Sequence, residues 1–251
     1  MLIRRLLMAL GALLLSVQAS FAAEPDWSGY AVLLHDHVSQ GSRHGTDLAV
    51  VDYRALKKNG AVEAVHRQLA AFPVQRLAGW EEKLAFYINA YNILALKMVL
   101  DHWPVESIKD VGSLLSPVWN KPAGEIGGKQ VTLGQIEHKI LRPMGEPRVH
   151  FAIVCASVSC PDLNNQPYTA ARLDAQLDEQ ARRFLGNKTK GVAVNDKQIR
   201  ISKIFDWFEE DFQLAGGVDM FIRRYRPNLP ALPVEADIPY DWDLNETGSR
   251  G

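Results

Sequence analysis

Residues 80–98 read WEEKLAFYINAYNILALKM, and this stretch decides the fold. Its pattern predicts the strongest helix of the chain, from Gly79 to Asp101. Apolar side chains cover nearly the whole circumference from Leu84 to Leu100, which is typical of a helix buried on all sides. Asn89 and Asn92 lie three residues apart on one face, and buried amides need hydrogen-bond partners. We therefore expect the rest of the chain to pack around this helix.

The segments on either side combine helices with short strands. Helical patterns occur at 26–40, 61–72, 133–141, 169–184, 202–214 and 217–225, extended character at 47–53 and 151–154, and hairpin signals at 125–131 and 192–201. Strands and helices do not alternate regularly, and no domain boundary is visible. The patterns predict an α+β fold: a helix-rich single domain over residues 23–251 with a small antiparallel sheet. Tyr240 and Trp242, in a proline-rich C-terminal stretch, are expected to pack back on the body.

Residues 1–22 have the pattern of a secretory signal peptide. Arg4 and Arg5 precede an apolar run from Leu6 to Val17, and Ser20-Phe21-Ala22 is a small-x-small cleavage pattern. The apolar run is too short for a membrane span of about 20 residues. We expect a periplasmic or secreted protein.

The composition excludes several classes of partner. Of the 251 residues, 47% are hydrophobic and 23% charged, with a net charge of −1, which is ordinary globular composition. Nucleic-acid binding needs a basic footprint that this chain lacks. No second apolar run reaches the length of a membrane span, so no membrane association is expected after signal cleavage. The patterns predict no cofactor.

The two cysteines of the chain lie together in residues 149–161, VHFAIVCASVSCP. The Phe151–Val154 run predicts a short buried strand that ends in a polar turn, where scaffolds often present reactive groups. Cys155 is therefore the candidate nucleophile. Strand alternation would place His150 on the opposite face from Cys155, whereas His138 comes from a separate helix.

His138 is accordingly the predicted base, because a nucleophilic thiol needs a histidine that favours the thiolate. Asn89, Asn92 or Glu137 would orient this histidine. The pocket would be lined by His150, Ser157, Ser159 and Cys160. Backbone N–H groups of the turn from Ser157 to Cys160 would form an oxyanion pocket.

Other roles for the cysteines stay open. Cys155 also fits an inert core thiol, or a disulfide with Cys160 in an oxidising compartment. Zinc could use His138, His150, Cys155 and Cys160, but their spacings match neither a C-x2-C nor an H-x3-H ligand pair, so no metal site is predicted. The cysteines are also too far apart in sequence for a thioredoxin-type motif.

Three ordered motifs resemble a known family. They are FYINAYN at 86–92, IEHKILR at 136–142, and HFAIVCAS at 150–157 followed by SCP at 159–161. Together they resemble the domain of unknown function 547 (DUF547), over about Trp80 to Phe212. The resemblance implies an exported bacterial protein in which Cys155 acts without Cys160. Likeness to papain-type thiol hydrolases is an analogy only.

Two functions follow as expectations. The first is a cysteine-dependent amide or peptide hydrolase, or an acyl transferase, acting on a small molecule or peptide. The alternative is a non-enzymatic periplasmic module that binds a small molecule or protein, with Cys155 and Cys160 structural.

Overall fold

The computed structural model describes residues 24–113 and 115–248. The predicted signal peptide lies outside these residues. The N-terminal half contains α1 (Ser28–His37), β1 (Val38–Arg43), β2 (Thr46–Val51), α2 (Tyr53–Asn59), α3 (Ala61–Ala71), α4 (Trp80–Asp101), β3 (Pro122–Ile126) and β4 (Lys129–Thr132). The C-terminal half contains α5 (Leu133–Gln135), α6 (Leu173–Gly186), β5 (Val192–Val194), β6 (Ile199–Ser202), α7 (Ile204–Trp207), α8 (Val218–Tyr225) and β7 (Val234–Ile238). No described helix is long and apolar enough to cross a membrane.

Helix α4 is the central helix that the sequence predicts. Its residues from Leu84 to Leu100 are buried except Tyr87 and Lys97. Glu82 caps its start, where Oε2 accepts the backbone N–H groups of Ala78 and Gly79. Helix α3 and strand β3 pack against α4, and its burial anchors the larger hydrophobic core.

The strands form three small sheets. β1 and β2 pair antiparallel, as do β3 and β4. The β3–β4 turn is the predicted Gly-Gly turn: Gly127 and Gly128 have φ values of 57° and 74°, a left-handed conformation that suits glycine. In the third sheet β5 pairs antiparallel with β6, which also pairs parallel with β7. The α+β class is confirmed, and the parallel β7 is an addition to the predicted hairpin.

A second hydrophobic cluster adjoins the first. It contains Phe151 with Phe184, Phe205, Phe212 and Phe221. Val149 and Ala152 belong to the larger cluster, so the segment from 149 to 152 contributes to both. This segment leads directly into the turn that carries the cysteines.

The prediction of a strand over Phe151–Val154 is wrong. Pro147–Phe151 is a 3-10 helix, and the chain then turns. Asn92 of α4 occupies the backbone groups that a strand partner would need, because its Nδ2 donates to Ala152 O and its Oδ1 accepts from Val154 N, each at 2.9 Å. A short apolar run does not by itself distinguish a strand from other buried backbone.

Three predicted helices also differ in extent. The helix expected over 26–40 ends at His37, since the next residues pair in β1. The helix expected over 133–141 starts with the predicted Thr132–Gln135 capping box and continues as a π-helix, Ile136–Leu141. The helix expected over 202–214 breaks at Phe208 into α7 and a 3-10 helix, Glu209–Ala215.

Candidate functional site

Cys155 lies in an irregular turn, residues 152–160, which we call the thiol turn. Asn92 fixes its start through Ala152 and Val154. Directly after Cys155, the buried Ala156 has a φ of 61°, a left-handed conformation that is uncommon without glycine. Such a conformation costs on the order of 1–3 kcal/mol and persists only where the surroundings impose it. Here the C-terminal segment of the chain helps to impose this conformation.

The C-terminal segment consists of residues 239–248. Val158 N donates to Asp243 O at 2.8 Å, and Ser159 N donates to Asp241 O at 3.1 Å. Ser159 Oγ accepts a hydrogen bond from Asp241 N at 2.8 Å. These bonds place Tyr240, the residue before Asp241, against the thiol turn. The prediction that the aromatic C-terminal residues pack back on the body is confirmed.

The sulfur of Cys155 is surrounded by hydrogen-bonding groups. Its Sγ lies 2.8 Å from Cys160 Sγ, 3.3 Å from Ser157 Oγ and 3.3 Å from the Tyr240 hydroxyl. Both cysteines are free thiols. Burial opposes ionisation, but the hydrogen bonds from Cys160, Ser157 and Tyr240 outweigh it and lower the pKa of Cys155 to about 7. Burial and the neighbouring Cys155 raise the pKa of Cys160, so Cys155 is the more acidic thiol of the pair.

The expectation of an oxyanion pocket formed by backbone N–H groups is wrong, because the N–H groups of the thiol turn already donate to acceptors. Val158 and Ser159 donate to the C-terminal segment, and Cys160 N donates to Ser157 O at 3.1 Å. The Ser157 N–H donates to the Cys155 sulfur. The remaining donor beside this sulfur is the hydroxyl of Tyr240, which in turn accepts from Ser157 Oγ at 3.3 Å.

A cavity of about 220 Å³ opens above the two sulfur atoms. It is lined by Tyr91, Trp119, Glu137, His138, His150, Ile153, Cys155, Cys160, Pro161, Ile204, Trp207, Phe208, Tyr240 and Trp242. Trp207 stacks on Trp242 with ring centroids 5.7 Å apart, and Tyr240 lies within 4.8 Å of both rings. The walls are therefore largely aromatic, and the polar groups are concentrated at Glu137 and the two histidines.

Glu137 is a buried carboxyl group in this cavity. Its Oε2 accepts a hydrogen bond from the Tyr91 hydroxyl at 3.2 Å. Burial raises the pKa of Glu137 to about 7, although the Tyr91 bond opposes the shift. A carboxyl group that titrates near neutral pH can both donate and accept a proton, which is the property of a general acid–base.

His150 is held by a carboxylate and an aromatic ring. Its Nε2 lies 2.7 Å from Asp211 Oδ2, and its ring stacks on Phe208 with centroids 4.1 Å apart. Arg142 binds the same carboxylate at 2.6 and 3.0 Å. Burial lowers the pKa of His150 despite the Asp211 bond, which favours the neutral ring. With the proton on Nε2, Nδ1 keeps the lone pair that a base needs.

His138 shares the cavity but is more exposed. Its Nδ1 lies 3.2 Å from Arg142 Nη1, which makes Nδ1 the acceptor of that bond. Burial and the positive charge of Arg142 lower the pKa of His138. The Arg142 guanidinium therefore links the two histidines, one directly and one through Asp211.

Asn89 and Asn92 do not line the cavity. Asn89 Nδ2 donates to Tyr168 O at 2.8 Å and its Oδ1 accepts from Tyr168 N at 2.9 Å, so its amide holds a loop. Asn92 holds the thiol turn in the same manner. Ser159 also bonds to backbone, through Asp241. All three side chains position segments of the chain.

Asp211 and Tyr240 are site residues that the sequence did not indicate. Asp211 is one acid in a run of three, and no local pattern connects it to His150. The sequence predicts that Tyr240 packs on the body of the protein, but the residues next to it in sequence do not indicate contact with a thiol. Both reach the site from more than 50 residues away in sequence.

A metal-ligand arrangement occurs away from the thiols. In the described part of the chain, His44, Asp241 and Asp243 place ligand atoms within 4.8 Å of one another. They lie on the surface, and His44 already binds Asp241 at 2.7 Å. The four residues considered for zinc, His138, His150, Cys155 and Cys160, do not converge in this way within the described residues.

Comparison with known families supports the resemblance over part of the chain. Residues 74–185 match a family model described as "Protein of unknown function, DUF547". The match includes α4, Glu137, both cavity histidines and the thiol turn, whereas Asp211 and Tyr240 lie outside it. No curated protein and no solved structure matches the chain.

Proposed function

We propose that the protein is a cysteine-dependent acyl transferase or amide hydrolase that acts on a small molecule or peptide with an apolar acyl group. One observation carries the proposal: the Cys155 sulfur lies at the base of an aromatic cavity, with three hydrogen-bonding groups within 3.3 Å. A thiol held in this way is a nucleophile near neutral pH. The leader-like pattern of residues 1–22 supports export, so the proposed compartment is the periplasm or the exterior.

The chemistry would proceed in two steps. The Cys155 thiolate attacks the substrate carbonyl carbon and forms a C–S bond, and the Tyr240 hydroxyl donates to the oxygen that becomes negative. The C–N, C–O or C–S bond to the leaving group then breaks, and the leaving group takes a proton from a cavity acid. Water or an acceptor amine next attacks the thioester, loses its proton to the same group, and releases the thiolate.

His150 is the better-oriented base. Strand alternation would place His150 opposite Cys155, but residues 150–155 do not form a strand. Its Nε2 is fixed by Asp211, which is the arrangement that orients a catalytic histidine in thiol and serine hydrolases. His138 and Glu137 line the same cavity and are the competing proton carriers. Separate substitutions distinguish these three groups.

The test uses the mature protein and a panel of thioesters and anilides with apolar acyl groups. Intact mass spectrometry should show an acyl adduct on wild type and on Cys160→Ser, and none on Cys155→Ser. Cys160→Ser is the matched control because it changes the neighbouring thiol only. Circular dichroism of all three proteins checks that they are folded.

Rates for His150→Ala, His138→Ala and Glu137→Gln then assign the proton carrier. Loss of about 100-fold or more in one variant identifies the group that transfers the proton. If Cys155→Ser is acylated and turns over substrate as wild type does, the proposal is wrong. If no substrate acylates wild type and Cys155 is no more reactive than free cysteine, the aromatic cavity is a binding site and the alternative, a binding module, replaces it.

A further inference from the structure

The two sulfur atoms are already in contact in the reduced protein. Cys155 Sγ and Cys160 Sγ lie 2.8 Å apart, so a bond between them would need a further approach of less than about 1 Å. The turn between them is closed by other bonds, including Cys160 N to Ser157 O. The reduced turn is therefore complete without a disulfide, and a bridge is not needed to hold the fold.

The two thiols are not equivalent. Cys155 is half-buried and faces the cavity, and it is the sulfur that Ser157 and Tyr240 contact. Cys160 also lines the cavity but is only 3% exposed. The buried Lys190 fixes the Cys160 end, since its Nζ donates to Cys160 O at 2.8 Å. Because Cys155 is the more exposed thiol, an oxidant that enters the cavity should react with it first, while Cys160 is already in contact with its sulfur.

We propose that Cys155 and Cys160 form a two-electron redox couple that reduces a hydroperoxide, with Cys155 as the attacking thiolate and Cys160 as the resolving thiol. This activity goes beyond acyl transfer and uses a different co-substrate. It also gives a chemical role to the second thiol, which acyl transfer uses only as a hydrogen-bonding neighbour of the nucleophile.

The atoms and electrons balance in two steps. Cys155 sulfur attacks the terminal oxygen of ROOH, the O–O bond breaks, and Cys155 becomes a sulfenic acid while RO⁻ leaves as ROH with a proton from solvent, which received the Cys155 proton when the thiol ionised. Cys160 sulfur then attacks the sulfenic sulfur, an S–S bond forms, and the hydroxyl departs as water with the Cys160 proton. An external dithiol returns both cysteines to thiols and is itself oxidised.

The contact distance sets the expected outcome of oxidation. Because Cys160 needs almost no movement to reach Cys155, the sulfenic acid should be converted to the disulfide before a second peroxide oxidises it further. Removing Cys160 should therefore expose the intermediate. Removing Cys155 should abolish both products, since Cys160 is almost fully buried and has no second thiol to pair with.

The experiment treats the reduced, folded protein with one equivalent of hydrogen peroxide at about pH 6.5, where free cysteine reacts slowly. Peptide mapping of wild type should show a Cys155–Cys160 disulfide, formed at least about tenfold faster than free cysteine is oxidised and reversed by dithiothreitol. Cys160→Ser should give a dimedone adduct at Cys155, and Cys155→Ser should give neither product. A sample with catalase added first is the control for oxidation by air.

Three results would overturn the proposal. Wild type could keep both thiols, Cys155 could become a sulfinic acid without a bridge, or the disulfide could form equally in the catalase control. The wild-type measurement tests the redox proposal even if a variant does not fold. It is also independent of acyl transfer, because no acyl substrate is present.

Discussion

Replacing Asn92 with alanine should destabilise the protein and disturb the thiol, whereas replacing Asn89 should only destabilise it. Asn92 is 2% exposed and bonds Ala152 O and Val154 N, each at 2.9 Å. Asn89 is fully buried and makes the equivalent two bonds to the backbone of Tyr168. The two variants therefore remove the same chemical group, from the same helix, with the same number of bonds.

The magnitude follows from what each variant leaves behind. Both leave one buried backbone N–H and one buried C=O without a partner, and each such group costs about 1–3 kcal/mol. Water entering the space of the lost amide would recover part of this cost. We expect a loss of about 2–4 kcal/mol in the free energy of unfolding for Asn89→Ala and for Asn92→Ala, measured by urea denaturation.

The two variants should separate in a second assay, the rate of Cys155 alkylation by iodoacetamide at about pH 6.5 under native conditions. Val154 directly precedes Cys155, so freeing it moves the sulfur relative to Ser157 and Tyr240 and should slow alkylation about tenfold. Asn89→Ala should alkylate as wild type does. A loss below about 1 kcal/mol for Asn92→Ala, or equal slowing by Asn89→Ala, would refute the reasoning.

Three further outcomes are expected. Tyr240→Phe removes a hydrogen bond to the sulfur, so the pKa of Cys155 in a pH–alkylation profile should rise by about one unit, and an unchanged profile would contradict the assignment. Because burial raises the pKa of Glu137 to about 7, the folded protein holds a proton that the unfolded chain releases, and stability should fall as pH rises from about 4.5 to about 7. Glu137→Gln should therefore match wild type near pH 4.5 and exceed it by about 2–3 kcal/mol near pH 8, as measured by urea denaturation at the two pH values. Lys190→Met leaves the buried Asp162 carboxylate without its partner at 2.6 Å and should cost about 3–5 kcal/mol in the same assay, which Asp162→Asn in the same chain should partly restore.

Local patterns predicted the framework because their causes are local. Helix α4 follows from its apolar circumference, and the β3–β4 hairpin from two glycines in a left-handed turn. The start of α5 follows from the Thr132–Gln135 capping box, in which each side chain bonds the backbone of the other. In each case the residues that determine the element lie within it.

The predictions failed where distant residues decide the backbone. The apolar run Phe151–Val154 has the composition of a strand, but Asn92 bonds the groups that a neighbouring strand would use. β7 forms because the exposed edge of β6 accepts a parallel partner from the C-terminal part of the chain. Propensity within a short segment cannot anticipate such partners.

The same division applies to the site. The motifs that indicate Cys155, Glu137 and His150 lie close together in sequence, and all three residues line the cavity. No sequence pattern predicts their partners Asp211 and Tyr240, because the contacts of a single acid or tyrosine form only after folding. Asn89 has the residue type of an orienting group, but its hydrogen bonds go to backbone.

The conformation of the thiol turn depends on hydrogen bonds from other parts of the chain. Its backbone is irregular, and Ala156 adopts a left-handed conformation at a local cost. Asn92 of α4 and the C-terminal segment bond its backbone from two directions, and Lys190 fixes the carbonyl of Cys160. Were the turn only a connection, a regular turn with glycine at position 156 would serve at lower cost. The external bonds instead bring two sulfur atoms and two hydroxyl groups into mutual contact, and that convergence is what lowers the pKa of Cys155.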